Sequence, residues 1–279
     1  MAIIDTSYLA SNVSEIETQR TKIMEQLAAG YKINSAADNA AVLAISSQMT
    51  KEINSSTVSI RNSNDGISIT ETGSAALDSI TENLQRIREI SLAADSGVYS
   101  SEDISNMQVE VDTLVSEISR VAEQTRFNGQ QLFSGDFSVN IQTGSNAGDS
   151  GITINIGNLN IDSLGTDSTN NVASIQGGGA NSLSSGNIAN TIDIIDNALN
   201  QVSSEKANLG SISNRFSSAI NSIENNLLSS KETQSRLIDT DYASATAQLT
   251  KNLLLENVNI SVMAQANSQA SNILGLFTL

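Results

Sequence analysis

The chain has 279 residues and a net charge of −16, from 14 basic and 30 acidic side chains. Nucleic-acid-binding proteins normally show the opposite balance, because phosphate contacts require Lys and Arg, so no nucleic-acid partner is expected. The chain has no His and no Cys, which excludes His-based triads, thiol nucleophiles, thiolate metal sites and two-His zinc motifs. Paired carboxylates are available, but a thin bundle has little room for the cleft of a hydrolase. We therefore expect no enzyme activity, no cofactor and no metal site.

The composition also favours long helices. There is no Pro to kink them, and the aromatic content of 3% suits thin bundles filled by Leu, Ile, Val and Ala. No run of about 18 apolar residues exists, so membrane insertion is not expected. Residues 1–30 lack the basic start and continuous apolar stretch of a signal peptide. These features predict a cytoplasmic protein, unless export follows a route without a cleaved signal.

The first predicted element is an amphipathic helix near the start of the chain. Its apolar residues recur in alternating steps of four and three, with Arg20 as a polar interruption, at Leu9, Val13, Ile16, Ile23 and Leu27. This spacing averages about 3.5 residues and keeps an apolar stripe facing a partner helix over several turns.

Two further helices follow at the same spacing. The first has its stripe at Leu77, Ile80, Leu84, Ile87, Ser91 and Ala94. The second has its stripe at Met107, Val111, Leu114, Ile118 and Val121. We predict that both stripes are buried in a bundle.

The centre of the chain changes period. Apolar and polar residues alternate around Val139 and Ile141 and again at Ile152, Ile154 and Ile156, which predicts a β-hairpin with a long loop. Residues 165–187 are rich in Gly, Asn and Ser and have no clear period. They are expected to form a surface loop or a poorly ordered connection.

Two long helices complete the chain. The first has its stripe at Ile188, Ile192, Ile195, Leu199, Val202, Lys206, Leu209, Ser213, Phe216, Ile220, Ile223 and Leu227. The last has its stripe at Leu249, Leu253, Glu256, Ile260, Met263, Asn267, Ala270, Leu274 and Phe277. Antiparallel pairing of the two terminal helices with Leu27 opposite Leu249 would bring Arg20 opposite Glu256. We predict this ion pair as a hypothesis.

Six sequence blocks stand out along the chain: KINSAADNAAVLAIS at 32–46, RNSNDGISI at 61–69, LQRIREI at 84–90, QTRFNGQQLFSG at 124–135, EKANLGSISNRFSSAI at 205–220 and VMAQANSQASNIL at 262–274. In this order they resemble the blocks of bacterial flagellins. The resemblance covers roughly residues 1–135 and 187–279. The chain departs from the usual family pattern at Asp5-Thr6-Ser7, at Asn39 and Val42, and in its LGLFTL ending.

The resemblance implies a mainly α fold in a short form without large outer domains. Long antiparallel helices would form a terminal coiled-coil domain from residues 1–37 and 234–279, the inner core of a filament. Residues 38–233 would form a helical-bundle shaft domain with a small β-hairpin region at about 135–187. The stripe residues of the two terminal helices would then be polymerisation seams for many copies of the chain.

The resemblance also implies partners and a location. An export chaperone would cover the C-terminal helices, and cap and junction proteins would meet the chain in an extracellular bacterial flagellum that supports motility. The chain would be exported still unfolded, without a cleaved signal peptide. Positions matching a patch read by Toll-like receptor five in many flagellins are Arg86, Ile90 and Glu110. The alternative is that these three residues serve only subunit packing.

Two rival functions stay open at this stage. A hook–filament junction protein shares the helical ends of flagellins, although the blocks at 124–135 and 262–274 favour flagellin. A secreted coiled-coil binding module would form a discrete oligomer, whereas a heterologous interface continues into an open polymer.

Overall fold

The computed structural model describes residues 6–144 and 151–277. Within these ranges the chain forms five long helices: α1 (Thr6–Ala29), α2 (Ala36–Ala94), α3 (Ser101–Gln124), α4 (Ile188–Ile238) and α5 (Tyr242–Phe277). Four short strands lie between α3 and α4: β1 (Arg126–Phe127), β2 (Gln130–Gln131), β3 (Ser138–Ile141) and β4 (Ile152–Asn155). The predicted mainly α fold is confirmed. Across the described helices, no segment combines the length and apolar character that a membrane span requires.

Side chains that bond to backbone N–H groups set where α2 and α3 begin. Ser100 and Asp103 form a reciprocal capping box, in which each side chain accepts a hydrogen bond from the other residue's N–H. The hydrogen bonds from Ser100 lower the pKa of Asp103. In α2, Asn39 has φ −165° and ψ 100°, and its Oδ1 accepts from Val42 N at 3.1 Å. Asn39 therefore caps the continuous part of α2.

The chain divides into two compact units. One contains Met1–Ile53 with Leu228–Leu279, and the other contains Asn54–Leu227. In the first unit α1 lies against α5. The chains leaving α1 and α4 form an antiparallel bridge at Tyr31 and Asp239, flanked by hydrogen bonds from Lys32 N to Ile238 O (2.7 Å) and from Thr240 N to Gly30 O (2.9 Å).

The second unit contains a continuous apolar core. The predicted stripe of α2 is buried throughout, from Leu77 to Ala94. In α3 the buried residues are Gln108, Val111, Val115, Ile118 and Ala122, so the buried face is rotated slightly from the predicted one. Ile195, Val202, Leu209 and Phe216 of α4 are fully buried and complete the helical part of the core.

Two hairpins add to this core. Strands β3 and β4 pair antiparallel with Val139 opposite Ile154 and Ile141 opposite Ile152, which confirms the predicted hairpin. Ile154 and Ile156 are fully buried. A second hairpin, β1–β2, was not predicted, although Asn128-Gly129 between its strands is a strong turn signal. Leu132 and Phe133, directly after it, are fully buried.

Residues 165–187 form a loop, as expected, but it is well ordered and packs partly against the core. This segment contains two short 3-10 helices, Val172–Ile175 and Leu183–Ser185, and buries Val172, Ile175 and Leu183. Its order comes from amide side chains. The buried Asn171 donates to Asp162 O and Ser168 O and accepts from Ser174 N. These bonds give partners to backbone groups in a segment that has no α-helix or sheet ladder.

Candidate functional site

The face of α1 that meets α5 carries the residues predicted for its stripe. Leu9 and Ile23 are buried, and Val13, Ile16 and Leu27 are partly buried. The intervening positions are mostly exposed. The pattern is that of a two-helix seam, in which each helix buries one narrow stripe.

Arg20 interrupts this seam and forms an ion pair across it. Its Nη1 lies 2.7 Å from Glu256 Oε2, and the two side chains are 30% and 16% exposed. The predicted Arg20–Glu256 pair is therefore confirmed, and with it the antiparallel arrangement of α1 and α5. The Nε of Arg20 is buried and has no hydrogen-bond partner among the described residues.

Helix α5 has apolar residues on two faces. The face that carries Glu256 also carries the buried Ala245 and Asn252 and the partly buried Leu249 and Met263. On the opposite face Leu254 and Val258 are exposed, with Leu254 at 63%. Leu253 and Ile260 are exposed between this face and the one that meets α1. Thus the structure places Leu249 and Met263 towards α1 and leaves Leu253 and Ile260 open. Leu274 and Phe277 lie in α5, but their side chains are outside the described part of the chain.

A short turn between α1 and α2 is fastened by Asp38. Its Oδ2 accepts hydrogen bonds from the N–H groups of Asn34 and Ser35, and its Oδ1 lies 2.8 Å from the Nζ of Lys22 on α1. The Lys22 ammonium and these two N–H groups lower the pKa of Asp38 from an ordinary value of 3.8 to about 2. Asp38 therefore holds the end of the turn against α1 as a carboxylate.

The three residues of the predicted receptor patch do not share one surface. Arg86 and Glu110 are exposed and paired, with Arg86 Nη2 2.8 Å from Glu110 Oε1. Glu110, with Glu89, raises the pKa of Arg86. Ile90 belongs to the core and is only 5% exposed. Ile90 therefore offers very little surface to a partner in this chain.

The arrangement offers binding surfaces built from helix faces. Within residues 6–144 and 151–277, no group of three or more Asp or Glu side chains is placed to hold a metal ion. The features that stand out are a paired helix seam with an internal ion pair, and a second apolar face on α5 without a partner. Both are suited to helix–helix assembly.

These features define a structural subunit that assembles through its terminal helices, and comparisons with known proteins agree. Residues 3–138 match the family model described as bacterial flagellin N-terminal helical region. Residues 192–277 match the bacterial flagellin C-terminal helical region. The chain belongs to the bacterial flagellin family, and it is a structural subunit of the flagellar filament.

Individual relatives support the same assignment. The flagellin of Bacillus subtilis (strain 168) is 33% identical over 292 aligned residues, which cover 95% of each chain. The flagellar filament 30.7 kDa core protein of Treponema maltophilum is 34% identical, and the alignment covers 91% of each chain. These names favour a filament subunit over a junction protein.

Among solved structures, one described as a flagellar hook-associated protein from Vibrio parahaemolyticus matches with a TM-score of 0.61. The match covers 72% of this chain and 100% of that chain at 16% identity. At that identity the likeness concerns the fold alone.

Proposed function

We propose that this flagellin polymerises through α1 and α5, with two kinds of seam. The α1–α5 seam within one subunit would use Leu9, Val13, Ile16, Ile23, Leu27, Leu249 and Met263. The seam between subunits would use Leu253 and Ile260, with Leu274 and Phe277 further along α5. The observation that carries the proposal is the open apolar face of α5.

Exposing this apolar face to water is unfavourable for an isolated subunit. A helix with apolar residues on more than one face normally buries each of those faces against a neighbour. Burying one exposed Leu side chain contributes roughly 1.5–3 kcal/mol, so the face that includes Leu254 and Val258 represents a substantial driving force for association. Further copies of the same chain are the occupants that a helical polymer supplies.

We propose a matching division of the chain in the filament. Residues 1–37 and 234–279 would form the inner core, and residues 38–233 the shaft domain, with the β-hairpin and loop region at about 135–187. Support comes from the bridge between Tyr31 and Asp239, where both chains leave helical geometry at one level. Ordering of the terminal helices would be offset by contacts with neighbouring copies.

The proposed route to the filament is export of the unfolded chain without cleavage of a signal peptide. On this route an export chaperone would cover the open face of α5, and cap and junction proteins would meet the subunit outside the cell. N-terminal sequencing of purified filaments tests the route. A sequence that begins at Met1 or Ala2 supports it, and one that begins far downstream contradicts it.

Electron microscopy after seeding or salting out tests the assembly proposal. The full chain is expected to form long filaments, and a chain without residues 1–30 and 240–279 is expected to form none.

A sharper comparison replaces one exposed leucine at a time. Leu254→Ser should raise the concentration needed for filament growth. Leu228→Ser is the control, because Leu228 is similarly exposed (68%) but lies on α4. Equal effects of the two substitutions would contradict the proposed face.

We propose a second, receptor-facing role for the Arg86–Glu110 pair, as a contact for Toll-like receptor five. Support comes from the exposure and pairing of these two side chains. Subunit packing is the competing role. Reporter cells that carry the receptor distinguish the two roles when monomeric protein is applied. Arg86→Ala should weaken signalling, whereas Arg120→Ala, in another exposed pair on α3, should not. Unchanged signalling by Arg86→Ala would leave packing as the role of the pair.

We also propose that the subunit has no catalytic activity. Support comes from the sequence, which lacks His and Cys, and from the family to which it belongs. Release of any product from a panel of peptide and glycoside substrates by purified filaments, at a rate proportional to filament mass, would contradict this.

A further inference from the structure

The tip of the β1–β2 hairpin is a two-residue turn with unusual backbone geometry. Phe127 pairs with Gln130, so Asn128 and Gly129 alone connect the strands. Both have positive φ, 47° for Asn128 and 82° for Gly129. Positive φ at both central residues is the mark of a type I′ turn, for which Asn-Gly is a preferred sequence.

This tip is exposed to solvent and makes few contacts with the rest of the chain. Asn128 and Gly129 are both exposed. A β-carbon built on Gly129 meets no atom within 4 Å. Throughout the described part of the chain, neither the Asn128 side-chain amide nor the Gly129 N–H finds a hydrogen-bond partner. The amide is therefore free to rotate towards the next peptide nitrogen, and that nitrogen is accessible to base.

We propose that Asn128 is a site of spontaneous deamidation and isomerisation. Hydroxide removes the proton from Gly129 N, and the nitrogen lone pair attacks Asn128 Cγ to form a C–N bond and a five-membered succinimide. The bond from Cγ to the amide nitrogen breaks, and ammonia leaves after taking a proton from water. Water then opens the ring. Cleavage of the new Cγ–N bond gives an aspartyl residue, and cleavage of the original backbone C–N bond gives an isoaspartyl residue. No oxidant or reductant is involved.

Other asparagines in this chain are less suited to the same reaction. Asn128 is the only asparagine followed by glycine, and any side chain on the next residue hinders the attacking nitrogen. Asn64, for example, is also exposed, but it lies inside α2 and donates its amide to Ile60 O. In a helix the next N–H is also engaged by a carbonyl four residues earlier. Asn171 is buried and its side chain makes three hydrogen bonds.

The isoaspartyl product would change the hairpin more than the aspartyl product. An isoaspartyl linkage adds one carbon to the main chain, and a two-residue turn cannot absorb it while keeping Arg126 opposite Gln131. Just beyond the hairpin, Leu132 N bonds to Thr125 O, and the Leu132 side chain is fully buried. We expect the β1–β2 pairing to loosen while Leu132 and Phe133 remain in the core.

Peptide mapping of the full chain after incubation in mildly alkaline buffer tests the proposal. Trypsin cannot isolate the site, because no Lys or Arg lies between Arg126 and Lys206. Chymotrypsin, which cuts after Phe and Leu, releases short peptides that begin at Asn128. Mass spectrometry then measures conversion of Asn128, with Asn64 as the internal reference. An isoaspartyl methyltransferase with a labelled methyl donor identifies the isoaspartyl product.

Gly129→Asn is the matched control. Any side chain at a φ of 82° is strained, but asparagine adopts this region more readily than most residues and a β-carbon here meets no atom within 4 Å. We therefore expect the variant to keep the turn at a modest cost in stability while the attacking nitrogen becomes hindered. We expect Asn128 to convert several-fold faster than Asn64 in the natural chain. In the Gly129→Asn variant we expect Asn128 to convert several-fold more slowly than it does in the natural chain. Conversion of Asn128 no faster than Asn64 would overturn the proposal, as would equal rates in the natural chain and the variant.

Discussion

Gly66 of α2 lies directly beneath the ring of Phe216 of α4. A β-carbon at position 66 would come within 2.5 Å of Phe216 Cζ, and the ring is fully buried. Glycine in a helix interior costs about 0.5–1 kcal/mol relative to alanine. At this position the absence of a side chain lets α2 and α4 approach closely, and any side chain would prevent that contact.

We predict that Gly66→Ala destabilises the protein despite its gain in helix propensity. Overpacking a core typically costs about 1–3 kcal/mol, which exceeds the gain. Gly210→Ala is the control, because Gly210 also lies inside a helix but a β-carbon there meets nothing within 4 Å. It should stabilise by about 0.4–1 kcal/mol. Urea denaturation of both variants checks the opposite signs, and the same sign in both would contradict the Gly66–Phe216 contact.

Charge reversal tests the Arg20–Glu256 ion pair. We predict that Arg20→Glu and Glu256→Arg each weaken pairing of α1 with α5, because each leaves two like charges facing in a partly buried seam. The double variant should recover helicity and filament growth, with a coupling energy of about 1 kcal/mol in a double-mutant cycle. The same exchange at Glu232 and Arg236, an exposed pair within α4, should have little effect. A double variant no better than its parents would argue against the pair.

The turn held by Asp38 should respond to acid. Because the folded pKa of about 2 lies below the ordinary value of 3.8, the carboxylate stabilises the fold above that ordinary value. This contribution is lost as the pH falls through the window between the two values. We predict that Asp38→Asn removes this part of the pH dependence and that Lys22→Gln removes some of it, because the Asn34 and Ser35 hydrogen bonds remain. Amide exchange of Asn34 and Ser35 against pH is the measurement. Identical profiles for the natural chain and Asp38→Asn would refute the assignment.

The buried side chain of Gln108 should stabilise the loop at 165–187. Its Nε2 donates to Ile175 O at 2.8 Å, and its Oε1 accepts from Leu183 N at 2.7 Å. We predict that Gln108→Leu destabilises the protein by about 1–3 kcal/mol and increases amide exchange within the loop, because a buried donor and acceptor lose their partner. Gln85→Leu, at an exposed position of α2, should change stability by no more than about 0.5 kcal/mol. A loop that stays fully protected in Gln108→Leu would show that other contacts maintain it.

Regular helices were predictable from the sequence because their buried residues recur at a fixed spacing. The stripe from Leu77 to Ala94 and the Arg20–Glu256 pair follow from that spacing alone. Helix α5 was harder, because it is apolar on nearly every side and several stripes fit equally well. The spacing suggested Leu253 and Ile260 beside Leu249, whereas the structure buries Ala245 and Asn252 on that side.

The loop at 165–187 was not predictable for a different reason. Its order depends on hydrogen bonds from Asn171 and Gln108 to backbone groups that are distant in sequence or have no regular period. The composition shows only that the segment is polar and rich in glycine.

The exposure of Ile90 at the candidate receptor patch was likewise not predictable from the sequence. A match to a motif does not show which of the matching residues face solvent in this chain.

The open face of α5 should also set how readily filaments dissolve into free subunits. A polymer is in equilibrium with a critical concentration of free subunits, and about 1.4 kcal/mol of contact free energy changes that concentration tenfold. Covering a fully exposed leucine contributes roughly 1.5–3 kcal/mol, and Leu254, which is 63% exposed, would gain part of that amount. Trimming such side chains one at a time would therefore shift the solubility limit of the filament by roughly several-fold to tenfold per step, while α1 and α5 keep their own pairing.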